Sequence, residues 1–138
     1  MNSLYLDASA ITKLVVEESE TRSLQDLVRG RRVASSRVAI VEVTKAVARA
    51  NPDADPQPVF ALLAFVELDA DLAHVAGATG GTGLRALDAI HIASALRLGD
   101  EVDGFVTYDG RQAVAALAAG LAVHAPGPGR PAPGGANL

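Results

Sequence analysis

Cysteine and tryptophan are absent from the 138 residues. Without cysteine there are no disulfides and no thiolate metal sites, and a reducing compartment is permitted. Aromatic residues make up 4% of the chain, too few for base stacking to carry much of any nucleic-acid binding. No apolar run is long enough to span a bilayer, and the first residues lack the basic stretch and apolar core of a secretory signal. A cytoplasmic protein without membrane attachment is expected. Basic residues are also in deficit: the net charge is −4, which argues against tight binding of nucleic acid through charge alone. What the chain does have is apolar bulk. Alanine, valine and leucine dominate a sequence long enough to bury a core in one domain.

Apolar strand-like runs alternate with stretches of helical period, the pattern of an α/β domain with a mainly parallel central sheet of four or five strands flanked by helices. Leu4 to Leu6 reads as a strand, followed by a helix from Ala8 or Ser9 to Val16 and another near Thr21 to Val28, closed by Gly30. Apolar patches on these first two helices suit the pairing of two copies, and a homodimer is expected. Arg32 to Ser35 is a second strand, and Ser36 to about Ala50 a helix that ends before Asn51-Pro52. A short helix over Pro56 to Ala64 and a third strand over Phe65 to Leu68 follow. Asp69 caps a helix through about Val75, and Gly77 to Gly83 is a glycine-rich loop. A long apolar helix covers Leu87 to Leu98. Gly104 to Thr107 is a strand, Arg111 to Ala119 a helix, and Leu121 to His124 a fifth strand. The domain is expected to span residues 1–125, and the Pro- and Gly-rich stretch from Pro126 to Leu138 to be a disordered tail.

Within this pattern four acids stand out: Asp7, Glu42, Asp88 and Asp109. Each sits where an apolar segment ends or on the narrow polar stripe of an apolar helix. Carboxylates so close to core-forming sequence are costly to desolvate unless a positive charge compensates them. Singly each has a plain explanation. Asp7 and Asp109 can cap the helices that follow them, Asp88 suits the first turn of a helix, and Glu42 can pair with Lys45. Together the plain explanation weakens. Asp88, His91, Ser94 and Arg97 form one stripe, and Glu42, Lys45 and Arg49 another, on helices otherwise apolar enough to be buried; both stripes are expected to face a shared groove. Gathered there, the carboxylates would raise one another's pKa unless a cation is bound, and hard oxygen ligands favour Mg²⁺ or Mn²⁺. The four acids equal the net charge, so the rest of the chain is balanced.

The segments Tyr5-Leu6-Asp7-Ala8-Ser9-Ala10, Ser35-Ser36 through Val41-Glu42-Val43, Leu84-Arg85-Ala86-Leu87-Asp88-Ala89-Ile90-His91 and Val106-Thr107-Tyr108-Asp109-Gly110-Arg111 closely resemble those of PIN-domain proteins. More narrowly, the chain resembles the VapC-type toxins of bacterial toxin–antitoxin pairs, from Leu4 to Pro126, in order and at similar spacing. The resemblance implies a Mg²⁺-dependent endoribonuclease neutralised by a cognate antitoxin, whose tail crosses the groove and offers Arg or Lys to the carboxylates. It puts Asp7, Glu42, Asp88 and Asp109 on the family's acidic quartet, with Asp7, Asp88 and Asp109 as metal ligands and Glu42 on metal or on the attacking water. Ser9 and Thr107 fall on hydroxyl positions beside the metal. One ion or two is left open.

Lys45, Arg49, Arg85 and Arg111 lie near the acidic segments and are the candidate RNA contacts. Arg29, Arg31 and Arg32 read as solvated surface. His91 lies one turn beyond Asp88 and reads as a core or groove-lining residue that can touch the site, whereas His74 and His124 show no ligand spacing. The glycine-rich loop lacks the Gly-Lys-Ser/Thr ending of a phosphate loop and reads as a connection. Two other functions compete with the nuclease. One is a silent PIN-like module that binds a protein or RNA. The other, a nucleotide-binding regulator, has no phosphate loop to support it.

Overall fold

The computed structural model describes residues 3–128. Its elements, in chain order, are β1 (Ser3–Leu6), α1 (Ala8–Val15), α2 (Thr21–Val28), β2 (Arg32–Ser36), α3 (Val38–Ala50), α4 (Gln57–Phe60) and β3 (Leu63–Val66). There follow α5 (Ala70–Gly77), α6 (Ala86–Leu98), β4 (Val102–Val106), α7 (Gly110–Ala118) and β5 (Val123–His124). The five strands form one sheet in the order β3-β2-β1-β4-β5, every pair parallel.

The short strand β1 is central because both its faces are apolar. Leu4 and Leu6 pack with Ile11, Leu24, Val43 and Val47 of α1, α2 and α3. Tyr5, pointing the other way, packs with Ile92, Phe105 and Ala116 under α6 and α7. A parallel sheet covered on both faces is the arrangement that such unbroken apolar strands require. On the α6 side Ala89, Ala93 and Ala95 are buried, and these small residues let the helix lie close to the sheet and to α5. Among the described residues no helix is long and apolar enough to cross a membrane.

Several expectations are corrected. The third strand is Leu63–Val66, not Phe65–Leu68, and the helix before it lasts one turn, Gln57–Phe60, instead of running to Ala64. Periodicity alone does not separate helix from strand in a short apolar run; here pairing decides, Val33 standing opposite Leu63 and Ser36 opposite Val66. In the glycine-rich stretch Gly77 closes α5, and Gly81–Gly83 forms one turn of 3-10 helix. The apolar faces of α1 and α2 are no surface patch. Ile11, Leu24 and Leu27 are buried in the core, and the large exposed apolar residues lie elsewhere, at Leu62, Val75, Leu96 and Val114 among others. Of the expected tail, Pro126 is buried and its carbonyl accepts the Tyr108 hydroxyl at 2.6 Å; residues 129–138 lie outside those described.

Candidate active site

The chain runs outward from β1 to β2 to β3, then returns to the other side of β1 with β4 and β5, so the order reverses between β1 and β4. Open α/β sheets present their binding crevice outside the carboxyl ends of the strands at such a reversal. Asp7 follows the last residue of β1, and Thr107, Tyr108 and Asp109 follow the last residue of β4. Leu6 and Val106 are paired, and the Asp7 amide donates to the Val106 carbonyl at 3.1 Å.

Asp7 is only 4% exposed, and its carboxylate is clamped from several sides. Oδ1 accepts the Ser9 hydroxyl at 2.6 Å and the Ala10 amide at 3.1 Å, which also caps α1; Oδ2 accepts the Thr107 hydroxyl at 2.5 Å. Each hydroxyl faces both ways: Ser9 Oγ accepts the Tyr108 amide at 2.9 Å, and Thr107 Oγ1 accepts the Asp109 amide at 3.0 Å. Ser9 and Thr107 therefore fasten Asp7 to the segment carrying Asp109. Burial pushes the Asp7 carboxyl above the ordinary carboxylate range, against the pull of Ser9, Thr107 and His91. Asp109 is exposed and caps α7, accepting the Arg111 amide at 2.9 Å.

Asp88 occupies the first turn of α6, partly buried. Its carboxyl is also raised, first by burial and then by the charges of Asp109 and Glu42, with His91 and Arg85 opposing. Those couplings put Asp88, Asp109 and Glu42 in one electrostatic neighbourhood. Glu42, in the second turn of α3, does not pair with Lys45. Its Oε1 lies 2.7 Å from His91 Nε2, and His91 Nδ1 lies 2.7 Å from the Tyr5 hydroxyl. A carboxylate only accepts, so His91 Nε2 carries the hydrogen and donates to Glu42.

The polar stripe on α6 thus does not face an open groove as a whole: His91 and Ser94 are buried, Ser94 donating to the Ile90 carbonyl at 2.7 Å, and Arg97 pairs with Asp69 away from the acids. The stripe on α3 is open, though not to a groove shared with the α6 stripe. Glu42, Lys45 and Arg49 line one cavity of about 690 Å³ together with Ser9 and Tyr108. Lys13 lines it too, its Nζ 5.0 Å from the centre of the Tyr108 ring and paired with Glu18 and Glu20. Lys13 was discoverable from spacing, since it follows Ser9 by one helical turn. Tyr5 left a fainter trace: a tyrosine within an apolar strand needs a buried partner for its hydroxyl.

The residues fit a hard cation in chemistry more than in closure. Their donors are oxygens, and among the described residues no Lys or Arg forms an ion pair with Asp7, Asp88 or Asp109. The two raised carboxyls are therefore only partly compensated, and a divalent ion would relieve them. Among the described residues, however, no group of three Asp, Glu or His side chains stands close enough to hold an ion as a set. Asp7 is pinned by its clamp and Glu42 is engaged by His91. The acids share one end of the sheet without converging on a point.

A parallel sheet with acids from four segments at its order reversal defines a PIN-type α/β domain. The chain belongs to the PIN-domain family, whose profile matches residues 4–117, and within that family to the VapC type. It is 39% identical over 129 residues to Ribonuclease VapC46 of Mycobacterium tuberculosis, covering 91% of this chain and 99% of that protein. It is 38% identical over 134 residues to Ribonuclease VapC35 of the same species, covering 92% and 99%. The crystal structure of Mycobacterium tuberculosis VapC20, a sarcin-ricin loop cleaving toxin, aligns with a TM-score of 0.65 over 86% of this chain and 95% of that one. At 17% identity that likeness speaks for the fold alone.

Proposed function

We propose that the chain is a toxin of the VapC type, an endoribonuclease that hydrolyses RNA phosphodiester bonds with Mg²⁺ or Mn²⁺ held by Asp7, Asp88 and Asp109. The observation that carries this reading is the pair of raised carboxyls, Asp7 and Asp88, which form no ion pair with Lys or Arg among the described residues at the crevice end of the sheet. A divalent ion held there would supply charge to the phosphoryl oxygens and lower the pKa of water. Asp7 is the fixed point, held by Ser9 and Thr107; Asp88 and Asp109, less buried, are the side chains that adjust. Glu42, oriented by His91, accepts a hydrogen bond from the attacking water and directs it. Lys45 and Arg49 offer positive charge to RNA phosphates along the α3 cavity, and Arg85 and Arg111 do so near Asp88.

The partners that follow are an RNA in the cytoplasm, a cognate antitoxin whose basic side chains replace the ion at the carboxylates, and a second copy of the chain. For the last, exposed Val75 and Leu96 on α5 and α6 supply apolar surface that α1 and α2 do not. The test is cleavage of purified structured RNAs with Mg²⁺, with EDTA, and with Asp7→Asn. Cleavage is expected only from the parent protein with the ion present; cleavage indifferent to EDTA and to the substitution removes the metal reading.

A further inference from the structure

Two cavities meet the acidic cluster, and they differ in character. The one along α3 is rimmed by basic residues. The other, about 560 Å³, lies among the glycine-rich turn, α6 and α7, and has Asp88 in its wall. Its lining is mostly apolar: Leu84, Ile92, Val114 and Ala115 form the walls, and Arg85 and Arg111 stand among them. Apart from Asp88, Arg85 and Arg111 at its edge, nothing described so far uses this space.

Gly80 shapes it. Its φ is +74°, a left-handed conformation that favours glycine, and a Cβ there would collide with the Leu84 side chain. Glycine at this turn therefore lets Leu84 fold against it and form part of the wall. The connection that read as a mere linker builds one side of a cavity.

We propose that this cavity is a nucleobase pocket, receiving the base of a nucleotide adjacent to the phosphate on which the acids act, while Arg85 and Arg111 hold that nucleotide's phosphates. The inference rests on the ribonuclease reading and extends it to the substrate. Position is the first support. Asp88 belongs to both cavity and cluster, and the Arg111 amide donates to Asp109, so an occupant lies directly beside the acids. Size is the second, since the volume is in the range of small-ligand pockets and suits one nucleoside rather than a helix. Charge is the third. Arg85 and Arg111 are exposed, and neither forms an ion pair among the described residues. An apolar slot flanked by free guanidinium groups matches a ligand with a flat apolar face and an anionic backbone. Guanidinium planes also stack on bases, which offsets the scarcity of aromatics. Because Thr79 is the one uncharged polar side chain in the lining, the pocket discriminates weakly among the four bases.

The test needs no catalysis. Binding of the four nucleoside 5′-monophosphates and of ribose 5-phosphate is measured by NMR titration on the full chain, without metal. Each nucleotide is expected to bind on the order of tenfold tighter than the sugar phosphate, the scale of burying about one apolar side chain's worth of surface, with the four nucleotides close to one another. The double variant Ala115→Leu, Ala118→Leu fills the cavity with apolar bulk; it should abolish the advantage of the base and leave ribose 5-phosphate binding unchanged. Arg85→Gln should weaken nucleotides and sugar phosphate alike. Nucleotides that bind no better than ribose 5-phosphate, or an advantage that survives the filled cavity, overturn the pocket. So does a filled variant that keeps its nucleotide affinity but changes its sedimentation, because the cavity is then a surface between copies. The RNA cleavage assay separates the two readings. Cleavage without a base-dependent gain defeats the pocket alone, and a base-dependent gain without cleavage defeats the nuclease and leaves the pocket.

Discussion

Asp7 is a charge that the fold holds at a cost, and its pKa direction fixes the sign of a test. Burial raises its carboxyl in the folded state above the ordinary value, so folding favours the protonated form. That contribution is whole below the unfolded pKa and is lost as pH rises through the folded one. Asn mimics the neutral form and still caps a helix. Asp7→Asn should therefore melt higher than the parent at neutral pH, with the advantage shrinking toward zero near about pH 4, the ordinary carboxylate range. Comparing variant with parent cancels the exposed acids whose shifts run the other way, such as Glu67 beside Arg37 and Asp69 beside Arg97. The same variant should lose cleavage by about a hundredfold or more. An inactive variant that is also less stable at neutral pH would mean Asp7 is a structural cap. His91 makes a second residue-scale case. It joins buried Tyr5 to Glu42, so His91→Leu should lower kcat by roughly ten- to a hundredfold, the usual cost of losing a group that orients a ligand. His91→Gln, whose amide still donates to Glu42, should recover much of that kcat with KM little changed in either variant. Equal losses in the two at matched melting temperature would reduce His91 to a core residue.

At the scale of elements, α3 and α6 show which parts of the sequence were legible. Both are apolar helices with a narrow polar stripe, and the spacing predicts each stripe correctly as a row of residues. On α3 the row opens into a cavity; on α6, His91 and Ser94 turn inward and only Asp88 stays by the acids. The difference lies in what each stripe meets across the fold. Tyr5 offers His91 a buried partner, and that contact, 86 residues apart in sequence, leaves no mark in the local pattern. The same limit explains the third strand, whose extent is set by pairing with β2 and not by its own composition. Strand ends were more legible, because an apolar run stopping at Asp7 or near Asp109 marks the edge of the sheet whatever the partners are. The α3 stripe carries its own prediction. Lys45→Glu and Arg49→Glu, at exposed positions outside the core, should each weaken RNA binding by catalytically silent Asp7→Asn protein and reduce its salt dependence by about one ion's worth. Filter binding across a salt series reads both quantities, and an unchanged slope for both substitutions would take the RNA path off α3.

For the whole molecule, topology brings the acids to one end and charge makes that arrangement incomplete. The order reversal between β1 and β4 puts Asp7 and Asp109 on adjacent strand ends, and the amino end of α6 brings Asp88 beside them. The four acids repel an approaching RNA, while Lys45 and Arg49 line one neighbouring cavity and Arg85 and Arg111 the other. On the proposed reading, an ion bound at the acids would do two things at once: it would stabilise the folded chain and admit the anion. Linkage makes the first measurable, since a ligand bound by the folded state alone raises the melting temperature with its concentration. Millimolar Mg²⁺ should therefore raise the melting temperature of the parent by several degrees at neutral pH and by less at acidic pH, where protons compete for Asp7 and Asp88. Asp7→Asn should start higher and respond less. Na⁺ at matched ionic strength serves as the control for general screening, because screening depends on ionic strength and not on ligand geometry. If parent and variant shift equally with Mg²⁺, the ion is binding elsewhere, and the acids at the sheet edge have some other counter-charge.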